Sequence, residues 1–216
     1  VSPAAPRIYV LTGVNGAGKS SIGGAAIRGF GGEYFNPDEA ARQILKANPG
    51  LTQADANSVA WQQGRRLLEK AIAERLDFAF ETTLGGSTIA QLLAAAARRG
   101  IEVHVWYAGL ASPELHIERV RARVRRGGHD IPESVIRRRY HHSRLNLIEL
   151  LPLLASLRIY DNSAEADPVA GAAPTPLLVL ELKRGAIVNS VDLTCTPEWA
   201  KPIVAAALKT TQARRR

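Results

Sequence analysis

Lys19 and Ser20 close an eight-residue run, Gly13-Val14-Asn15-Gly16-Ala17-Gly18-Lys19-Ser20, that fits the phosphate-binding pattern GxxxxGKS. A backbone that curls around phosphate oxygens needs unusual dihedrals, and glycine supplies them while leaving NH groups free to point inward. Lys19 is placed to reach the β and γ phosphates of a nucleotide, and the Ser20 hydroxyl to help hold Mg2+. Ser21 follows at the start of a helix whose positive dipole end faces the same anion. The candidate nucleotide-binding set is therefore Gly13, Asn15, Gly16, Ala17, Gly18, Lys19, Ser20 and Ser21. The run locates a nucleotide but leaves the reaction open.

Three further groups could supply that reaction. Asp38 follows Asn36-Pro37; phosphoryl transfer to a hydroxyl needs a carboxylate within about 3 Å to take or orient the proton. The bland alternative is that Asp38 simply caps the helix that follows. Glu81 ends an apolar run, Phe78-Ala79-Phe80, where a buried charge is costly unless it meets a ligand, a metal-bound water or a basic partner. The neighbouring hydroxyls of Thr82 and Thr83 suit a substrate hydroxyl or phosphate, although threonine also favours strands. Arg119, Arg123 and Arg126 recur at helical spacing, and Gly127-Gly128 separates them from Arg137, Arg138 and Arg139. This is the layout of a hinged helical lid, and an arginine brought over a transferring phosphoryl group is worth about 10³ to 10⁵ in rate. The competing reading is a pair of solvated basic helices. His129, with no Cys or acidic cluster at ligand spacing, reads as a lid-turn residue rather than a metal ligand.

The elements that must position these groups alternate. Strands are expected at 7–12, 33–35, 76–83, 101–107 and 157–161; helices at 21–30, 38–47, 53–75, 87–99, 112–126 and 132–151. An Ala/Pro-rich loop at 164–176 leads to a hairpin, 177–182 and 186–189 around Lys183-Arg184-Gly185, and a last helix at 197–209. Such alternation after a phosphate loop predicts an α/β P-loop NTPase fold: a mainly parallel five-stranded sheet flanked by helices. It forms one domain over 1–216, with a lid at about 119–144 and a C-terminal hairpin and helix at about 176–209. In such sheets ligands gather beyond the carboxyl ends of the strands, which brings residues 13–20, Asp38, Glu81 and the arginines together. Asp161-Asn162-Ser163 ends the fifth strand after the lid, and is expected to begin a loop near the adenine ring rather than to hold Mg2+.

Composition narrows the partners. The net charge is +8 and the isoelectric point about 10.1, which favours anionic ligands. Nine arginines lie between Arg119 and Arg144, and Arg214, Arg215 and Arg216 form a basic tail. A single cysteine, Cys195, excludes an intrachain disulfide framework and fits a reducing compartment. No apolar stretch reaches membrane-spanning length, and residues 1–6 lack the regions of a secretory signal, so a cytoplasmic protein is expected. The charge keeps a nucleic-acid kinase or nucleic-acid-binding ATPase open as an alternative, although few aromatics are interleaved for base stacking. A nucleotide-gated switch is a third reading. The absence of an NKxD motif favours ATP over GTP.

Taken together, Gly13 to Ser20, Asn36-Pro37-Asp38, Phe80-Glu81-Thr82-Thr83-Leu84, Arg119 to Val124 with Gly127-Gly128-His129, Arg137-Arg138-Arg139-Tyr140 and Tyr160-Asp161-Asn162-Ser163 resemble the zeta toxin family of P-loop kinases. The resemblance spans residues 7–163 and is nearest to the short, zeta-like branch. It implies an ATP- and Mg2+-dependent kinase acting on a sugar hydroxyl of a nucleotide sugar such as UDP-N-acetylglucosamine, with an antitoxin partner that blocks the nucleotide site. It also implies roles: Lys19 and Ser20 on phosphates and Mg2+, Asp38 as base, Glu81 and Thr83 on the acceptor, and Arg123 with one of Arg137 to Arg139, Arg139 being the choice, on the γ phosphate. The chain departs from the family where Glu81-Thr82-Thr83-Leu84-Gly85-Gly86 lacks the usual internal glycine and following basic residue.

Overall fold

The computed structural model describes residues 4–24, 33–164 and 175–214. Its centre is a seven-stranded sheet in the order β2-β3-β1-β4-β5-β6-β7. The strands are β1 (Arg7–Thr12), β2 (Glu33–Phe35), β3 (Phe78–Thr82), β4 (Glu102–Gly109), β5 (Ser156–Asp161), β6 (Leu177–Lys183) and β7 (Ala186–Ser190). The first five pair in parallel; β6 and β7 are antiparallel. The hairpin is thus a continuation of the sheet, which has seven strands where five were expected. Its turn, Arg184-Gly185, takes positive φ at both positions (49° and 78°), the twist that two-residue hairpins require.

Among the described residues, six α-helices accompany the sheet: α1 (Pro37–Ala47), α2 (Gln53–Glu74), α3 (Ser87–Arg98), α4 (Pro113–Val124), α5 (Glu133–Leu150) and α6 (Lys201–Ala213). Ile8 and Val10 of β1, Phe78 and Phe80 of β3 and Val103 and Val105 of β4 share one face and form a single buried cluster with the helices, whereas Leu11 and Ala79 of the opposite face are buried in a smaller cluster with Tyr9, Tyr34 and Trp106. Register brings the strand ends level. Thr12 lies beside Thr82 on one side and Tyr107 on the other.

Local chemistry corrects two boundaries. The cap of α1 is Asn36, whose side chain accepts from the backbone N–H of Asp38 (2.9 Å) and Glu39 (3.2 Å). Pro37 then fills the first helical position, where a missing N–H costs nothing, and Asp38 is released from capping. The last helix starts at Lys201 rather than 197 because Pro202 is tolerated only in a first turn; residues 197–200 form a lead-in turn. After the phosphate loop, Ser20–Gly24 forms a π-helical turn. The rest of the helix expected at 21–30, most of the loop at 164–176, and Arg215 and Arg216 fall outside the described residues. Among the described residues no helix is long and apolar enough to cross a membrane.

Candidate active site

The phosphate loop leaves β1 as a curl in which Gly13, Gly16 and Gly18 all take positive φ (141°, 84° and 76°). No side chain could replace two of them. A Cβ at Gly13 would sit 2.2 Å from the Ala108 carbonyl oxygen of β4, and one at Gly18 2.3 Å from Asn162 Nδ2. Asn162, at the end of β5, donates to the Ala17 carbonyl (2.9 Å), so the 161–163 segment braces the loop from outside. Asp161 in turn accepts from Ser163 N (3.2 Å) and from Trp199 Nε1 (3.2 Å). Lys19 folds back to donate to the Gly13 carbonyl (3.1 Å). Burial pushes its ammonium below the ordinary lysine value; the fields of Glu81 and Asp38 oppose that and those of Arg123 and Arg139 add to it. All four charged groups therefore converge on Lys19. Ser20 is exposed at the start of its turn; Ser21 has its side chain outside the described residues.

A cleft of about 480 Å³ opens beside the loop. Its lining includes Asn15, Lys19, Asp38, Glu81, Thr82 and Thr83. Asp38 is half-exposed at the start of α1 and forms an ion pair with Arg123 at 3.7 Å. Glu81 is 7% exposed, and its partner is the Tyr34 hydroxyl of β2, a neutral donor rather than a basic group. Thr82 and Thr83 hydroxyls accept from Leu84 N (3.1 Å) and Gly85 N (3.4 Å), shaping the turn while lining the cleft. Leu84 there takes φ 52°, a conformation unfavourable for a branched residue, and its carbonyl accepts from Asn146 of α5 (2.8 Å).

The segment expected to be a lid comprises two helices, α4 and α5, joined across Gly127-Gly128. From α4, Arg123 donates to the His129 carbonyl (3.1 Å) as well as meeting Asp38, and its buried Nε has no partner among the described residues. From α5, Arg139 donates to Asn15 Oδ1 (2.7 Å), and Gly85 leaves room for its stem. Burial, then Arg138, lowers the Arg139 guanidinium from its ordinary value. Of the three consecutive arginines, Arg138 and Arg139 line the cleft, whereas Arg137 pairs with Glu114 on the outer face. Arg126 bonds the Ala122 carbonyl of its own helix, and Arg119 reaches the carbonyls of Ser163 and Ala164; neither lines the cleft. His129 lines it from the lid turn.

Sequence reasoning missed three residues. His116, buried on α4, donates from Nδ1 to the Asn15 carbonyl (2.8 Å). Trp61 and Asn57, one turn apart on α2, form the far wall, and the indole is 45% exposed. Nothing local in the sequence singles these out, because each matters only through a contact with a distant element.

A parallel sheet carrying a phosphate loop, a carboxylate-lined cleft at its strand ends and an arginine-bearing helical lid define a P-loop protein of the kinase type. The chain belongs to the zeta toxin family, whose pattern its residues 1–167 match. An uncharacterised protein of Haemophilus influenzae is 34% identical over 132 residues, covering 59% of this chain and 88% of that one. The fold is similar to a chain of the AvrRxo1-ORF1:-ORF2 complex with ATP (TM-score 0.66, 15% identity, 94% of this chain). This chain spans only 64% of that one. It is also similar to a structure from the PezAT chromosomal toxin-antitoxin system of Streptococcus pneumoniae (TM-score 0.58, 17% identity, 99% of this chain and 88% of that one).

Proposed function

We propose that the protein transfers the γ-phosphate of ATP to a hydroxyl of a small, nucleotide-like acceptor, such as a nucleotide sugar. The observation that carries this reading is the convergence of Lys19 and Arg139 with the carboxylates of Asp38 and Glu81 in the lining of one cleft, with Arg123 behind it on Asp38. In this reading the 13–20 loop holds the donor phosphates. The acceptor hydroxyl oxygen attacks the γ phosphorus as Asp38 takes its proton, the bond from that phosphorus to the β–γ bridging oxygen breaks, and ADP leaves. The charge spread over the phosphoryl oxygens meets Lys19, Arg123 and Arg139, whose present partners are protein oxygens that phosphate can displace. Glu81, fixed by Tyr34, and Thr83 orient the acceptor.

The oxygen donors here, the Ser20 hydroxyl at the loop and the nearby carboxylates, fit a hard cation such as Mg2+, which binds through few protein ligands and the substrate phosphates. When bound, Mg2+ offsets the charge of the β and γ phosphates. On the acceptor side, a half-exposed indole on the cleft wall suits a planar base, with Asn57 lining the same cleft. Two outward-facing arginines of these helices are neutralised by ion pairs, Arg121 with Glu133 and Arg137 with Glu114, which weakens the case for a groove that binds nucleic acid. The family also supports a protein antitoxin as a partner of the nucleotide site.

The test is ADP release by the purified protein with ATP, Mg2+ and a panel of UDP-sugars, nucleosides, nucleotides and oligonucleotides. One small acceptor should drive turnover, and Asp38→Asn should lower kcat by about 10² to 10⁴ while ATP still binds. Trp61→Ala should raise the acceptor KM about tenfold, the scale of one stacked base. No acceptor-dependent turnover across the panel, with Lys19→Ala indistinguishable from wild type, would refute the proposal; phosphate appearing on oligonucleotide ends would replace it.

A further inference from the structure

His116 lies between the lid and the phosphate loop without touching the cleft. It is 1% exposed, and its Nδ1–H donates to the Asn15 carbonyl at 2.8 Å. Its ring packs edge-on against Tyr140 of α5 (centroids 5.7 Å apart), and the Tyr140 hydroxyl donates to the Ala111 carbonyl just before α4 (3.0 Å). The imidazole is therefore held from both arms of the lid.

The loop has little freedom at this point. A Cβ at Gly16 would lie 2.8 Å from the His116 carbonyl oxygen and 3.4 Å from side chains of Arg119 and Val120, so the curl rests directly on α4. Val14 is buried in a small apolar cluster with Ile117 and Val120 of α4 and Ile136 of α5. Asn15 is bound twice, its carbonyl by His116 and its side chain by Arg139. A trans peptide is planar, with its C=O and the next N–H pointing in opposite directions. A carbonyl of Asn15 drawn outward to α4 necessarily aims the Gly16 N–H the other way, into the curl.

We propose that His116 is a positioning residue of the donor site: by holding the Asn15 carbonyl it aims the Gly16 N–H at the bound phosphates and ties the loop to the lid. This rests on the reading of residues 13–20 as a nucleotide site. Asparagine and glutamine at 116 separate a positioning role from a filling one, because the asparagine amide nitrogen falls near the place of Nδ1 whereas the longer glutamine carries its amide past it.

The experiment is ATP binding to the whole chain by titration calorimetry, with melting temperatures measured on the same samples. His116→Asn should bind within about threefold of wild type and His116→Gln about tenfold more weakly, the scale of one hydrogen bond to a buried carbonyl, with the larger part of the kinetic loss in the KM for ATP. Equal affinities for the Asn and Gln variants would overturn the proposal, as would losses that simply track melting temperature. Wild type and Lys19→Ala alike failing to bind ATP would instead overturn the nucleotide reading beneath it.

Discussion

Arg123 meets Asp38 at 3.7 Å, so the residue assigned to the phosphoryl group pairs with the residue assigned to the proton. Phosphate entering beside Lys19 offers Arg123 a stronger partner, and its departure would leave the carboxylate to the acceptor hydroxyl. A second residue-scale effect concerns acid. Burial, with Lys19, Arg119 and Arg144 nearby, brings His116 down to about 4, and the bond to Asn15 only partly opposes this. The unfolded chain takes up that proton near the ordinary value of about 6.5. Below it the unfolded state binds more protons than the folded one, so stability is full above about 6.5 and is lost progressively as pH falls towards about 4, by on the order of 3 kcal/mol in all. His116→Asn should flatten this part of the profile; urea unfolding at pH 7.5 and pH 5 checks it, and equal slopes for variant and wild type would contradict it.

At the scale of elements, Asn36 is the joint between β2 and α1 and decides where Asp38 stands. Asn36→Ala should cost about 1 kcal/mol of stability through the lost cap, and depress turnover beyond that if, as proposed, Asp38 of α1 is the base. Melting temperature and kcat measured together test the pair of effects. Most elements were legible because their signals are local: apolar runs for β1 to β5, Ser112-Pro113 for the start of α4, glycines for the breaks. Asp38 and Glu81 were legible because strand ends converge by rule in parallel sheets. Which residue caps α1 was not legible, because Asn36 and Asp38 both carry capping side chains and Pro37 alone does not decide between them. That the hairpin would extend the sheet was not legible, since the pairing of β6 with β5 lies across the long 162–176 connection. The same holds for Trp61 and His116, whose partners lie on other elements.

At the scale of the molecule, Trp199 links the C-terminal segment to the nucleotide site. It is buried, stacks on Tyr107 (centroids 6.0 Å apart), fills the space left by Gly109, and donates to Asp161 beside the Asn162 that braces Ala17. Trp199→Ala should cost about 3 to 5 kcal/mol, and weaken ATP binding as the brace loosens. Thermal unfolding and nucleotide titration of the same variant would show both, and unchanged ATP affinity in a destabilised protein would separate the brace from the site. The order of synthesis gives this link a further meaning. Domains begin to fold while the chain is still on the ribosome, N-terminal parts first. Gly13 to Ser20 emerge well before the tryptophan that steadies their brace, which follows β7. A nascent chain therefore carries the phosphate loop without its brace until residue 199 has been made, so the loop and the contact that steadies it are completed in separate stages of synthesis.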